Sequence, residues 1–197
     1  MRIVVVFAHP SRESFNGAIL ETAMAALEAG GHEVRLIDLY REGFDPVLSE
    51  ADWNDYTADT PRLVARVAPH AKALAWAEGL IFIFPTWYYG PPAIFKGWME
   101  RVWLPGVTFD IAPGPRGRAV GRLRNVRRLT VITTSGSPWW WLRLIRDPGR
   151  SFLTRGMRVI FHPRVRIRWL QLHAINHSSE AQREAFLTRV RQQMEAV

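Results

Sequence analysis

Two short apolar runs, RIVVVF at residues 2–7 and LIFIF at 80–84, constrain this chain more than any other feature. Neither alternates polar with apolar residues, so neither suits a strand with one face in water. Both suit strands covered on both faces, as in a parallel sheet. Between and after them the pattern switches to a helical period. From Asn16 onward, Leu20, Ala23, Met24 and Leu27 recur at helical spacing until Gly30 and Gly31 end the run, which makes Asn16 the expected helix cap. HEVRLIDL (32–39) reads as a second strand, and RLVARVAPHAKALAWAEG (62–79) as a helix kinked or split at Pro69. Another helix is expected from Pro91 and Pro92, with Phe95, Trp98, Met99, Val102 and Trp103 on one face. By default that face is core, and secondarily a dimer contact, with Gly97 open to the approach of another backbone. RLTVITT (128–134) is the fourth strand, and MRVIFHPRVRI (157–167) contains the fifth. Ser179 and Gln182 then form a capping box for a last helix carrying Phe186, Leu187, Val190 and Met194. The expected fold is α/β: one domain over 1–197, a doubly wound five-stranded parallel sheet in the order 2-1-3-4-5.

Composition narrows the function classes. The absence of cysteine removes disulfide scaffolds, thiolate catalysis and cysteine-bound metals together, and it fits a reducing compartment. No apolar run approaches the length of a membrane span, and MRIVVVFAHP is too short in its apolar part for a secretory signal, so a cytoplasmic protein without an integral membrane segment is expected. The formal net charge is +8, and all 26 basic residues except Lys72 and Lys96 are arginine. Such a balance suits anionic partners without choosing among them. The densest stretch, GPRGRAVGRLRNVRR (114–128), mixes arginine with glycine and proline and carries no nucleic-acid-binding signature, so nucleic acid is not the expected partner. His70, His162, His173 and His177 are scattered without metal-ligand spacing, and no metal site is expected.

In open parallel sheets ligands bind beyond the carboxyl ends of the strands, where the winding reverses. Three loops fall there: AHPSRESFN after the first strand, PTWYYGP after the third and TSGSPWWW after the fourth. The first lacks both the dinucleotide-fold and the P-loop glycine patterns. It offers instead the hydroxyls of Ser11 and Ser14, the Asn16 amide, the His9 imidazole and the free N–H groups of a helix start, a place that suits a phosphate. Each loop alone also has a plain structural reading, with Asn16 only a cap, His9 packed under the loop, and Trp87, Tyr88 and Tyr89 plugging the domain or a dimer contact. Together, a phosphate seat, aromatic walls and the small-residue turn at Thr133, Thr134, Ser135 and Gly136 suit a flavin nucleotide.

The segments HPxxxSFN, FPxWYYGxPAxxKGWxxRV and TTxG, in this order and spacing, resemble the flavodoxin-like NAD(P)H:quinone oxidoreductases, the DT-diaphorase and bacterial drug-activity-modulator type, over about residues 2–136. The resemblance implies a cofactor, FAD or FMN, whose phosphates are held by His9, Ser14, Phe15 and Asn16. It implies that the flavin ring is held by Pro85, Thr86, Trp87, Tyr88, Tyr89, Thr133, Thr134, Ser135 and Gly136. It further implies NAD(P)H as co-substrate, two-electron transfer in alternating half-reactions to a quinone or similar flat aromatic acceptor, and a homodimer with the site at the subunit boundary. The flavin carries the chemistry, and Ser135, Gly136 and Trp141 are the candidate assisting residues. Where relatives place a tyrosine and a histidine after the TTxG turn, a gap-free count finds Trp141 and Asp147, which cannot do the same proton chemistry. A different role implied by some relatives is that of a flavin-binding regulatory subunit of a membrane transporter, with segment 114–128 as its docking surface.

Overall fold

A computed structural model describes residues 1–112 and 118–197. Its centre is a five-stranded, wholly parallel sheet built from β1 (Arg2–Phe7), β2 (Glu33–Asp38), β3 (Gly79–Thr86), β6 (Arg128–Ser135) and β7 (Arg166–Leu172), in the order β2-β1-β3-β6-β7. This is the flavodoxin-like 2-1-3-4-5 order expected from the sequence. A short antiparallel pair, β4 (Phe109–Ile111) with β5 (Ala119–Gly121), stands apart from it and was not foreseen.

The period of two explains why the central strands are apolar throughout. On β1, Ile3, Val5 and Phe7 pack with Ile19, Leu20, Ala23 and Leu27 of α1 (Phe15–Ala29) and with Val190 and Met194 of α8 (Glu180–Glu195). Val4 and Val6 point the other way, into a cluster with Leu74 of α4 (Ala68–Trp76) and Phe95, Trp98 and Val102 of α5 (Ala93–Val102). The strands divide in the same way at β3, where Ile81 and Ile83 join the first cluster and Leu80, Phe82 and Phe84 the second.

The helix signals hold with three adjustments. The segment around Pro69 is split, with Val67 alone between α3 (Thr60–Arg66) and α4, whose first turn holds that proline. An unforeseen α2 (Glu50–Ala58) is started by a capping box between Ser49 and Asp52. Asn16 is not the cap of α1. The Ser14 hydroxyl takes that role, accepting from the Gly17 N–H at 3.2 Å, and Asn16 is buried inside the first turn. The expected fifth strand also begins later than its apolar letters suggest: Gly156–Ile160 is a 3-10 helix, because Ile160 and Phe161 are buried beneath Gly121 and Leu123. The strand runs only from Arg166. On α5, Phe95, Trp98 and Val102 are fully buried within the chain, so the face once open to a dimer is core, and Gly97 admits the backbone of Pro46 from the same chain. Among the described residues no helix is long and apolar enough to cross a membrane.

Helix α6 (Trp139–Leu144) and α7 (Pro148–Thr154) complete the upper edge. Three histidines titrate below their ordinary range, chiefly through burial: His32, His70 and His173. The Nδ1 of His70 accepts from the Trp98 indole N–H at 3.3 Å, a bond that needs the unprotonated nitrogen. Because the unfolded chain binds these protons more readily, stability is expected to fall as pH drops from about 7 to about 6. Thermal melts across that range check it, and His70→Gln should flatten the profile.

Candidate functional site

The carboxyl ends of β1, β3 and β6 bring the three loops together. After β1 the chain turns sharply into α1. The His9 Nδ1 lies 3.0 Å from the Ser11 N–H, and the Ser14 hydroxyl donates to the Ser11 carbonyl at 2.7 Å while capping the helix. The loop folds directly onto the helix at Gly17, where a Cβ would run into the backbone carbonyl of Arg12. Arg12 itself turns away to pair with Asp38 at 2.6 Å. With Gly17 capped by Ser14, the N–H groups of Phe15 and Asn16 sit at the positive end of the helix dipole.

Asn16 joins this helix start to the fourth sheet strand. Its Nδ2 donates to the Thr134 hydroxyl at 3.1 Å, while its Oδ1 is buried and has no partner. A buried amide oxygen without a donor is costly, on the order of 1–3 kcal/mol, and such a group at a sheet edge asks for a ligand N–H or O–H. Phe15 points elsewhere, its ring 6.3 Å from that of Phe186.

The WYYG stretch forms a tight turn. Trp87 and Gly90 exchange both backbone hydrogen bonds, at 2.9 and 3.0 Å, and the central residues Tyr88 and Tyr89 have φ of 48° and 64°. Two consecutive left-handed residues define a type I′ turn, a geometry that favours glycine and asparagine and that bulky side chains adopt only at a cost of about 1–3 kcal/mol each. The aromatics of the turn face outward: Tyr88 is fully exposed, and Trp87 and Tyr89 are well exposed too. The turn is held from behind. The Trp141 indole donates to the Tyr89 hydroxyl at 3.1 Å, and Gly149 of α7 lies so close that a Cβ there would stand 2.9 Å from the Tyr89 carbonyl. Tyr88→Gly is therefore expected to raise stability by about 0.5–1 kcal/mol, because it relieves strain and removes no buried contact. A denaturant midpoint that falls instead would show that the tyrosine packs against something.

Between this turn and the end of β6 lies an open cavity of about 520 Å³. Of the residues singled out in the sequence, Pro85, Thr86, Trp87, Tyr88, Tyr89, Thr134, Ser135 and Gly136 line it. Thr133 does not: it is fully buried on the opposite face, its hydroxyl 2.9 Å from that of Thr86. Trp141 does not line the cavity either, and acts on it through Tyr89; Leu142 stands there in its place. Asp147 caps α7 by accepting from the Arg150 N–H. His9 borders the site, its ring 6.3 Å from that of Trp87.

Ser137, in the loop after the fourth strand, lines the cavity as well, whereas Leu142, Ile175 and Asn176 were not foreseen from the sequence. The last two follow β7, and placing that strand at its true start would have put the stretch HAIN at the same sheet edge. A Cβ on Gly136 would meet the Asn176 Nδ2 at 3.3 Å, so glycine lets that side chain pack close against the turn. Of segment 114–128, residues 114–117 lie outside the described residues, Arg122 pairs with Asp110, and Arg124 donates to the carbonyls of Gly121 and Phe161.

The strand order, with these three loops gathered at its topological switch point, is that of a flavodoxin-like protein. Comparison with known proteins agrees. The sequence profile of the flavodoxin-like fold family matches residues 1–197. NAD(P)H dehydrogenase (quinone) 1 of Cavia porcellus is 34% identical over 151 residues, which cover 69% of this chain and 54% of that protein. Among solved structures, Smu.1420 from Streptococcus mutans superposes with a TM-score of 0.85 at 29% identity, covering 100% of both chains. The NAD(P)H:quinone oxidoreductase from Methanothermobacter marburgensis gives 0.83 at 26%, covering 99% of this chain and 98% of its own. The chain belongs to the flavodoxin-like NAD(P)H:quinone oxidoreductase family. It spans about half the length of the Cavia porcellus relative.

Proposed function

We propose that this protein is a flavin-dependent NAD(P)H oxidoreductase that delivers two electrons to a quinone or a similar flat aromatic acceptor. The observation that carries the reading is Asn16, which is tied to Thr134 yet keeps a buried, unpartnered Oδ1 between the helix start and the aromatic cavity. That arrangement fits FAD or FMN: the N–H groups of Phe15 and Asn16 would hold its phosphate. The Pro85–Tyr89 turn and the Thr134–Gly136 backbone would bracket its ring. When bound, a flavin supplies the two-electron exchange between NAD(P)H and the acceptor.

The chain's part is orientation, electrostatics and exclusion of water. Backbone N–H groups of Ser135, Gly136 and Ser137 are the candidate donors to negative charge that develops at the ring, and donors fixed before reaction stabilise such charge without reorganising. Trp87 and Tyr89 wall the open side, Trp141 acting as a positioning residue for Tyr89. With no titratable tyrosine or histidine at positions 141 and 147, acceptor protons would come from solvent, and the apolar walls favour bulky aromatic acceptors.

A homodimer belongs to this reading. Trp140 and Leu144 of α6 are strongly exposed, an apolar face that a second copy would cover. Sedimentation at micromolar concentration is expected to give twice the chain mass; the chain mass alone would refute the dimer. The activity is tested by anaerobic mixing of the purified protein with NADPH or NADH, then with a quinone. Bleaching of a flavin band followed by its return on quinone addition is expected, and a band that neither reductant bleaches would overturn the enzyme reading.

A further inference from the structure

Across Leu142 from the aromatic cavity lies a second, larger depression of about 1060 Å³, formed by edge strand β7 with α6, α7 and α8. Five arginines line it: Arg143, Arg146, Arg150, Arg155 and Arg189. Among the described residues none of their guanidiniums makes an ion pair or side-chain hydrogen bond, unlike Arg12, Arg66, Arg101 and Arg122, which all do. The one acidic residue of the depression, Asp147, already accepts from the Arg150 backbone N–H as the cap of α7. Five like charges converging on one concavity repel one another and raise a positive potential that water and salt only partly screen.

Two side chains of β7 in the same depression add specificity. The Gln171 Oε1 accepts from the Trp169 indole at 2.7 Å; an indole N–H only donates, so the amide nitrogen must be the other end. That Nε2 is buried and has no partner. The Nδ1 of His173 is likewise buried and unpartnered. An unpartnered amide donor and unpaired guanidiniums in one depression match a group with several acceptor oxygens and more than one negative charge. At the rim, Trp139 presents an exposed indole face, and a flat ring beside arginines suits a nucleobase.

We propose that this groove is a nucleotide-phosphate site, separate from the flavin cavity, in which the arginines and Gln171 hold a phosphate and Trp139 stacks on the base. A free nucleotide and the adenosine-phosphate end of a dinucleotide share that chemistry. A concave depression favours either over an extended nucleic-acid strand.

Titration calorimetry on the protein as purified, at low salt, tests the site without requiring turnover. Adenosine 2′,5′-bisphosphate is expected to bind once per chain, and adenosine not detectably. Affinity should fall at least tenfold in Arg146→Gln/Arg150→Gln and again in Arg143→Gln/Arg189→Gln, with melting temperature and chromophore content unchanged. Trp139→Ala should weaken the bisphosphate but not pyrophosphate. NADPH competing with the bisphosphate where NADH does not would identify the dinucleotide as the source, and absence of competition would leave the free nucleotide. Lack of saturable bisphosphate binding, equal binding of adenosine, or an affinity untouched by both double variants would overturn the proposal. So would a single-stranded oligonucleotide that binds more tightly than the bisphosphate at the same salt.

Discussion

Gly17→Ala is expected to disable the helix start and with it the candidate cofactor site. The added methyl would overlap the Arg12 carbonyl, a backbone atom in a loop already pinned by the Ser14 hydroxyl, so it cannot be accommodated by a side-chain rotation. Either the loop lifts off the helix or the helix loses its first turn. Overpacking of this kind costs about 1–3 kcal/mol. Both outcomes misplace the Phe15 and Asn16 N–H groups, so flavin affinity should drop by about two orders of magnitude, with displaced donors losing most of a charge-assisted contact. Flavin fluorescence titration together with a denaturation curve measures both. Wild-type affinity in a destabilised Gly17→Ala protein would mean that the phosphate lies elsewhere.

Asn16→Ala separates binding from capping. It removes the donor to Thr134, which costs about 1 kcal/mol, and also the unpartnered Oδ1, whose burial cost is returned, so net stability should change little. Flavin affinity should fall at least about tenfold, roughly 1.4 kcal/mol. Ser14→Ala should show the opposite balance, losing about 0.5–2 kcal/mol of stability with the helix cap. If both variants lose stability and neither loses flavin, Asn16 is only a structural tie between α1 and β6.

What could be read in the chain and what could not divide along physical lines. The central strands were legible because RIVVVF and LIFIF are covered on both faces, and burial on both faces leaves an unbroken apolar record. Edge strand β7, RIRWLQL, carries arginine and glutamine because one edge and part of one face meet solvent. The more apolar MRVIF upstream looks more like a strand, but it begins as a 3-10 turn that buries Ile160 and leaves Val159 exposed. That single misplacement hid Ile175 and Asn176, which depend on where β7 ends. Asn16 was legible as important and misread in kind. A Ser-Phe-Asn stretch offers two capping residues, and only tertiary contact with Thr134 reveals which of them turns inward. Likewise WYYG was plainly exceptional in sequence, but nothing local predicts two tyrosines at positive φ. That conformation depends on Trp141 and Gly149, more than fifty residues away.

The cavity at the ends of β1, β3 and β6 is expected to take a flavin. Protein stripped of any bound chromophore should be titrated separately with FAD and FMN, following quenching of flavin fluorescence. Saturation at one flavin per chain, abolished or severely weakened by Gly17→Ala, is the predicted result. Folded protein that binds neither flavin would contradict it.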